Sequence, residues 1–390
     1  MLFVFGALAV RVTQLQVFSG NRYRLASLEQ TVHTVSLPSQ RGTIFDRNGR
    51  DLAMSIQLSA VYAVPQQVWD PIVSAAQLAP ILHVGQQFLQ TQLRDTHYKF
   101  RYLAHQVSDG VVAQVQKLKL PGIGIEAEPA REYPAGALAR SIIGQLGTDP
   151  AGTTGLEEQY QSVLQGRAGQ FVVERDQQGL DIPNTATHQV EARRGTDIVL
   201  SLDESLQWQT EQSLIDEVGA TSARGGMAVV VDTTNGAVLA MASIDGANGA
   251  TPPHPSTPAE ATRPLMDLFE PGSTNKLITL SSAIEDGLVT PDTEINVPPV
   301  LRIGRTSFTD VDSHGDVHMT VTDILRQSSN IGTIEISQRV GKDRLSQALR
   351  AFGLGERTSV QFPGQAAGLL LDPSHYYDTG LASTAIGYGV

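Results

Sequence analysis

The sequence contains no cysteine, which excludes disulfide bonds and thiol chemistry without choosing a cellular compartment. Positive charge is also scarce, since 28 lysine and arginine residues stand against 40 acidic ones and leave a net charge of −12. No basic cluster stands out from this balance, so a nucleic acid is not an expected partner. The 390 residues, 41% of them hydrophobic, are ample for packed cores and predict two or three domains.

The sequence also lacks a hydrophobic run long enough to cross a membrane. The apolar residues 1–10 stop at Arg11, well short of the roughly 20 residues that a spanning helix needs. A signal-like segment, a core helix and the tail of a membrane anchor all fit this length. We favour an anchor remnant over residues 1–18, because no basic segment precedes the apolar run.

Lysine is rare, and its only positions are Lys99, Lys117, Lys119, Lys276 and Lys342. Lys276 follows Ser273 by three positions at the start of an apolar helical run, residues 277–284. Residues three apart share a helix face, so a helix that begins near Gly272 would place the Lys276 amine beside the Ser273 hydroxyl. A partly desolvated amine has a lowered pKa and can take the proton of a serine near the positive end of a helix. The pattern predicts Ser273 as nucleophile and Lys276 as its base, although a chance pair on an exposed helix fits the same spacing.

A second serine and an amide lie in a later helical region. Ser328 and Asn330 follow a helix start at residues 320–323, and Ser328 comes 55 positions after Ser273. The pattern Ser-x-Asn is weak by itself, because it also occurs at Ser19 and at Ser273. Beside a Ser-x-x-Lys pair, however, these side chains are expected to relay protons and to hold a substrate amide.

Turn signals divide the first half of the chain. Asn48-Gly49 between β-prone segments predicts a hairpin within residues 39–55. The charged side chains around this turn could have a binding role. We instead interpret Arg41, Asp46 and Arg47 as a structural ion-pair network at a domain junction.

The second half begins with a predicted domain boundary near residues 193–196 and a helix from about Asp203 to Val218. The clearest hairpin follows, with strands at residues 227–232 and 237–242. A loop rich in proline, alanine, glycine and threonine, residues 246–262, then leads to the Ser273 helix. We therefore expect a sheet beside that helix and a cleft bordered by the loop.

Taken in order, these motifs resemble those of the monofunctional (class B) penicillin-binding proteins, the cell-wall D,D-transpeptidases. The matching landmarks are Arg41-Gly42-x-Ile44-x-Asp46-Arg47-Asn48-Gly49, Arg131-x-Tyr133-Pro134-x-Gly136, Gly155-Leu156-Glu157-x-x-Tyr160, the hairpin ending at Ala242, Glu270-Pro271-Gly272-Ser273-Thr274-x-Lys276, His314-Gly315 and Ser328-Ser329-Asn330. The resemblance implies a multidomain α+β fold. Its parts would be an elongated N-terminal dimerisation or pedestal domain, residues 19–195, and an incomplete, serine β-lactamase-like transpeptidase domain, residues 196–390, with a sheet flanked by helices.

The same resemblance implies a reaction. Ser273 would be acylated by a D-Ala-D-Ala peptide stem or by a β-lactam, with Lys276 as base and with Ser328 and Asn330 as the second motif. No metal or organic cofactor is needed. The implied setting is a single-pass bacterial membrane protein, with its catalytic domain outside the cytoplasm and with a glycosyltransferase and division or elongation proteins as partners.

The chain departs from the family pattern at three points. The third motif, Lys-Thr-Gly or Lys-Ser-Gly, is absent, and residues 385–390 resemble the segment that precedes it, so we expect a fragment. Because that motif supplies an oxyanion donor, residues 1–390 alone are expected to acylate slowly. In addition, Asn275 replaces a bulky apolar residue, and Ser141 stands where many members carry histidine.

Other readings stay open at this point. Acidic residues between Asp310 and Asp316, with His314 and His318, could bind a cation, but a calcium loop would need a glutamate where Val321 stands. A serine β-lactamase or D,D-carboxypeptidase shares the Ser-x-x-Lys chemistry with water as acceptor. In a further alternative, the chain is a catalytically silent, membrane-tethered scaffold for cell-wall or division proteins, which retains the fold but not the activity.

Overall fold

The computed structural model describes residues 32–147, 150–174, 187–249, 251–258, 262–376 and 379–390. Contacts divide it into an N-terminal unit, the described residues up to Asp216 with Val229–Ala242, and a C-terminal unit, Glu217–Ala228 with Ser243–Val390. The predicted anchor segment, residues 1–18, lies outside the described residues. Within the described ranges, no helix has both the length and the apolar character that crossing a membrane requires. The domain boundary predicted at residues 195 and 196 stays a prediction.

The first part of the chain alternates strands and short helices. Its strands are β1 (Val32–Leu37), β2 (Ile44–Phe45), β3 (Asp51–Ala63), β4 (Arg101–Val107), β5 (Ile123–Glu132), β6 (Gly169–Glu174), β7 (Thr187–Val190) and β8 (Ile198–Val199). Its helices are α1 (Pro71–Leu82), α2 (Gln86–Arg94), α3 (Asp109–Leu118), α4 (Arg140–Ile143), α5 (Gly155–Gln159), α6 (Gln161–Leu164) and α7 (Glu204–Thr221).

The long strand β3 organises the main sheet of the N-terminal unit. It pairs antiparallel with β5 from Met54↔Glu132 to Ala63↔Ile123, and with β4 and β2, while β2 pairs parallel with β8. The β2–β3 connection confirms the hairpin predicted at Asn48-Gly49, where Gly49 has a φ of +83°. Behind the sheet, α1, α2 and α3 bury Leu78 and Leu89 in an apolar core.

A buried ion triad joins three distant segments of this unit. Arg41 Nε donates to Glu157 Oε2 at 2.6 Å, and Arg131 Nε donates to Glu157 Oε1 at 2.8 Å. The predicted structural role is confirmed for Arg41. Neither Asp46 nor Arg47 forms an ion pair with a described residue, however, and Asp46 instead accepts backbone hydrogen bonds that hold the β2–β3 turn. The ion-pair prediction was wrong for these two within the described residues, although Asp46 does have a structural role, since the Asn48, Arg50 and Glu204 amides donate to its carboxylate.

The rest of the chain is richer in helix. Its strands are β9 (Gly225–Val231), β10 (Val238–Asp245), β11 (His254–Pro255), β12 (Glu294–Val297), β13 (Leu301–Ile303), β14 (Thr306–Phe308) and β15 (Val317–Thr320). Its helices are α8 (Arg263–Met266), α9 (Lys276–Glu285), α10 (Val321–Arg326), α11 (Asn330–Val340), α12 (Lys342–Ala351) and α13 (Gly380–Ala385). Strands β9 and β10 are neighbours, with β11 on the other side of β10, which confirms the hairpin predicted at residues 227–242.

Helix α9 lies at the centre of the C-terminal unit. Its inward side chains, such as Leu280 and Ala283, pack in one apolar cluster with Ile331 of α11 and Leu345 of α12. Only a residue without a side chain fits at Gly332, where a Cβ atom would lie 2.6 Å from the Ile324 side chain. The packing therefore fixes the position of the α11 start against α10, and Ser328 lies at this junction.

Candidate active site

Ser273 lies on a short 3₁₀ turn, Gly272–Asn275, that leads directly into α9. Gly272 has a φ of +58°, a conformation that glycine adopts without the strain of a side chain. The Ser273 side chain is exposed, and none of the described residues forms a hydrogen bond with its hydroxyl. The nucleophile predicted from the sequence is thus open to a substrate.

The last residues of the chain support this turn from behind. The Gly272 amide donates to the Gly387 carbonyl at 3.0 Å, and the Gly389 amide donates to Glu270 Oε1 at 2.8 Å. Asn275 is buried, and its Nδ2 donates to the Thr384 carbonyl at 2.7 Å. This bond ties the turn to α13 through one end of the Asn275 amide, whereas Oδ1 at the other end is buried and has no hydrogen-bond partner among the described residues.

Lys276 is buried, with 1% of its surface exposed, and its amine is held by three acceptors. Nζ donates to the Ser328 carbonyl at 2.5 Å, to Asn330 Oδ1 at 2.7 Å and to Ser328 Oγ at 3.1 Å. These match the three donors of an ammonium group. Burial lowers the pKa of Lys276, and the nearby Asp310 carboxylate offsets part of that effect.

The second-motif residues owe their position to a tight junction between α10 and α11. Ser328 has a φ of +56°, which is rare for a residue with a side chain and is held here by the surrounding structure. Ser329 caps α11, because its Oγ accepts from the Gly332 amide at 2.9 Å.

Asp310 holds the start of α11 from outside the helix. It accepts from the Asn330 amide at 2.6 Å, the Ile331 amide at 2.9 Å and Ser329 Oγ at 2.7 Å. Burial alone would raise the pKa of Asp310, but the hydrogen bonds from Ser329, Ile331, His314 and Asn330 outweigh burial and lower it. An ionised carboxylate therefore fixes the backbone beside Asn330.

His314 connects Asp310 to the preceding loop. Its Nδ1 lies 2.7 Å from the Gly315 carbonyl and its Nε2 lies 3.1 Å from Asp310 Oδ2. Only an imidazolium can donate to both acceptors, and these contacts raise the pKa of His314, first the Gly315 carbonyl and then Asp310. In the described part of the chain, no group of three potential ligand side chains could hold a metal ion.

The structure thus brings three of the four predicted residues together: Lys276, Ser328 and Asn330 share hydrogen bonds. Ser273 is one turn away along the chain, but the Lys276 amine points its donors at the second motif rather than at the Ser273 hydroxyl. The catalytic roles of all four stay predictions. Sequence reasoning missed the anchoring role of Asp310. The signal lies in Asp310-x-x-x-His314, a spacing that predicts a contact between the two side chains and that is assigned above to a candidate cation site and, for His314, to a family landmark.

Two family models match the chain, the "Penicillin-binding Protein dimerisation domain" over residues 36–200 and the "Penicillin binding protein transpeptidase domain" over residues 226–390. "Penicillin-binding protein PbpB" of Mycolicibacterium smegmatis is 31% identical, with the match covering 98% of this chain and 63% of that protein. "Probable peptidoglycan D,D-transpeptidase PenA" of Neisseria gonorrhoeae is 31% identical over 100% of this chain and 67% of its own. The crystal structure of penicillin-binding protein 3 from Mycobacterium tuberculosis, complexed with aztreonam, is 28% identical and covers 91% of this chain and 61% of that one at a TM-score of 0.63.

A mixed helix and sheet fold, with a dimerisation domain before a domain that carries the Ser-x-x-Lys turn, is the domain order that the two penicillin-binding protein models describe. The chain belongs to the penicillin-binding protein family, which confirms the resemblance and the predicted fold class. It spans about three fifths to two thirds of the length of the curated relatives it matches.

Proposed function

We propose that this chain is part of a peptidoglycan D,D-transpeptidase that works through an acyl-enzyme on Ser273. One observation carries the proposal: the buried Lys276 amine joins Ser328 and Asn330 directly behind the turn that exposes Ser273. Ser273 Oγ attacks the carbonyl carbon between the two D-alanines, the terminal D-alanine leaves with a proton, and an amine of a neighbouring stem later displaces Ser273.

The hydrogen bonds of Lys276 favour a proton relay through Ser328. A neutral amine keeps two N–H donors and gains a lone pair, so in one of its three present contacts the amine must accept and the partner must donate. Of its partners, the Ser328 carbonyl and Asn330 Oδ1 only accept, whereas the Ser328 hydroxyl can also donate. Ser328 is therefore the group that shares a proton with Lys276 while Ser273 reacts, and Asn330 holds the amine in place.

The partners of the complete protein are proposed on the family relationship. They are peptidoglycan peptide stems and β-lactams at Ser273, a bacterial membrane reached through an N-terminal anchor, and a glycosyltransferase with division or elongation proteins. The catalytic domain would lie outside the cytoplasm. We also propose residues 19–195 as the pedestal and residues 196–390 as the transpeptidase domain.

A fluorescent penicillin tests the proposal on the full-length protein. We expect one covalent adduct, mapped to Ser273 by mass spectrometry, and no labelling of the Ser273→Ala variant. Ser281→Ala, on the same helix with its hydroxyl bonded to the Ile278 carbonyl, is the matched control and should be labelled normally. An adduct at Ser328, or labelling that survives Ser273→Ala, would refute the assignment.

The same assay separates the alternatives. Absence of any labelling would favour a catalytically silent scaffold. Rapid loss of the label to water, with no product joined to an added amine, would favour a β-lactamase or D,D-carboxypeptidase. Labelling of residues 1–390 beside the full-length protein tests the predicted slow acylation of the shorter chain.

A further inference from the structure

The two residues that follow strand β14, Thr309 and Asp310, hold Asn330 at two points. The Thr309 carbonyl accepts from Asn330 Nδ2 at 3.0 Å, and Asp310 Oδ1 accepts from the Asn330 backbone amide at 2.6 Å. Because a carbonyl only accepts hydrogen bonds, the Thr309 contact turns the nitrogen of the Asn330 side chain towards the loop. The oxygen of that side chain, Oδ1, is then left to accept from the Lys276 amine at 2.7 Å.

The packing of β14 against α11 determines where Thr309 and Asp310 lie. Phe308, the last residue of the strand, packs on the apolar cluster that contains the fully buried Ile334 of α11. The next two residues are thereby brought to the first turn of the same helix. Asp310 is enclosed there, since only 8% of its side chain is exposed. The fold therefore fixes the carboxylate relative to Asn330.

Asp310 also provides negative charge for a cation that has no described carboxylate in contact with it. The acceptors of the Lys276 amine are uncharged oxygens of Ser328 and Asn330, and none of the described acids forms an ion pair with it. Burial lowers the pKa of Lys276, and the Asp310 carboxylate opposes this effect. A buried cation depends on such compensation, because its removal from water is costly.

Two cations interact with Asp310 among the described residues. His314 faces it from the same loop, 3.1 Å from Oδ2, and is itself near Asp316. Lys276 on α9 is the second cation. Helix α11 presents backbone amides to the carboxylate, and the residue before it, Ser329, presents a hydroxyl. A change of charge at Asp310 therefore acts on His314 and on Lys276.

We propose that Asp310 is a positioning residue for the acylation of Ser273: its ionised carboxylate holds the Lys276 amine in place through Asn330 and favours the protonated form of that amine before it acts as base. The inference rests on the proposed function, because it concerns the proton transfer that Lys276 carries out there. It predicts two separable effects. The place of the carboxylate determines the maximal acylation rate, and its charge determines the pH at which the rate rises towards that maximum.

The pH dependence of penicillin labelling by the full-length protein separates these effects. Asp310→Asn removes the charge, but its Oδ1 can still accept from the Asn330 and Ile331 amides, so most of the maximal rate should remain. The rise with pH should move to lower pH, and the remaining His314 cation acts in the same direction. Asp310→Glu keeps the charge but lengthens the side chain by one methylene, so the maximal rate should fall by about a hundredfold while the rise stays at its native pH.

Asp312→Asn removes one charge from an exposed position in the same loop and is the matched control, which should keep the native profile. A purely structural role of Asp310 predicts slower labelling in both Asp310 variants with the rise at its native pH. That outcome would overturn the proposal. Circular dichroism checks the fold of each variant. If Asp310→Asn does not fold, Asp310→Glu still decides, because a native maximal rate in that variant would also overturn it.

A titration of Lys276 itself provides a test without penicillin. In NMR spectra of protein isotopically labelled at the lysine Cε carbon, the signal that is missing from Lys276→Met belongs to Lys276. Its titration midpoint should be lower in Asp310→Asn than in the native protein and in Asp312→Asn. An unchanged midpoint would overturn the inference even if labelling of Ser273 is normal. A lowered midpoint in a protein that penicillin does not label would refute the proposed function, while the effect of Asp310 on the amine would stand.

Discussion

Lys276 is a cation that the protein keeps out of water, and its neighbours decide what it can do. A buried ammonium is costly unless its donors are satisfied, which the Ser328 and Asn330 oxygens achieve. Because burial lowers the pKa of Lys276, removal of one proton is easier than for a lysine in solvent. Arginine could not take this role, since its guanidinium stays charged at every accessible pH.

Lys276→Arg should therefore lose penicillin acylation while the chain still folds. A general base contributes about a hundredfold to ten-thousandfold in rate, and we expect a loss of that size. Labelling kinetics measure the rate, and circular dichroism checks the fold. The exposed Lys342→Arg serves as control and should acylate normally. If an arginine side chain does not fit at this buried position, Lys276→Met is a second variant, because the methionine side chain can neither accept nor donate the proton. A near-normal rate in either variant would show that Lys276 is not the base.

The stability of the site depends on pH through His314 and Asp310, and the two residues act in opposite directions. The pKa of His314 is raised above its usual 6.5, so its stabilisation is complete below pH 6.5 and is lost as pH rises through the folded-state value. The pKa of Asp310 is lowered below its usual 3.8, so its stabilisation is present above that value and is lost as pH falls through the folded-state value.

The C-terminal unit should therefore become less stable as pH rises above about 6.5, and His314→Gln should remove this part of the decline in stability. Melting temperatures of both proteins across this range measure the effect. His318→Gln, an exposed position four residues further on, is the comparison variant and should keep the native profile. Parallel profiles for the native protein and His314→Gln would contradict the assigned role.

Among the elements, the 3₁₀ turn of Ser273 depends on the segment after α13. A Cβ atom at Gly387 would lie 2.1 Å from the Gly272 carbonyl oxygen, closer than any side chain can approach. Gly387 and Gly389 have φ values of +87° and +73°, but no atom lies within 4 Å of a Cβ at Gly389. Alanine substitutions at the two glycines therefore separate two costs in stability, that of the left-handed backbone conformation and that of the clash.

Gly389→Ala should cost about 1 to 2 kcal/mol for its left-handed backbone alone. Gly387→Ala should cost clearly more and should also slow acylation, since relief of the clash displaces the turn that carries Ser273. Urea unfolding and penicillin labelling of the two variants provide the measurements. Equal stabilities and equal labelling rates would mean that the close approach of the two glycines does not position the nucleophile.

The sequence predicted those elements whose causes are local. Apolar periodicity predicted helix α9, and Asn-Gly turns predicted the hairpins at residues 39–55 and 227–242, because turn chemistry and burial pattern lie within each segment. The 3₁₀ start of α9 was not predictable, since it is held by Gly387, which lies more than a hundred residues away. The motif also predicted Ser328 and Asn330 as site residues, but not that the Lys276 amine bonds to them rather than to the Ser273 hydroxyl, since that depends on how α11 packs against α9.

The whole molecule has two compact units, and their cores are formed by different residues. Leu78 is fully buried in the core behind strands β3 and β4, whereas Leu345 is fully buried in the core around α9 and α11. Proteins with several such units frequently unfold in more than one step.

Calorimetry should accordingly resolve two transitions. Leu78→Ala and Leu345→Ala each remove a fully buried side chain at a cost of about 2 to 5 kcal/mol, and each should lower a different transition. Penicillin labelling should be sensitive to Leu345→Ala and nearly insensitive to Leu78→Ala. A single transition that shifts equally in both variants would show that the units unfold as one.

The Asp310 carboxylate also makes the site observable by deuterium exchange. The amides of Asn330 and Ile331 point at it, so their protons are protected from solvent only while that carboxylate remains ionised and in place. Deuterium uptake of a peptide that covers residues 326–334 would then follow the integrity of the second motif, in the absence of any substrate, inhibitor or acylation.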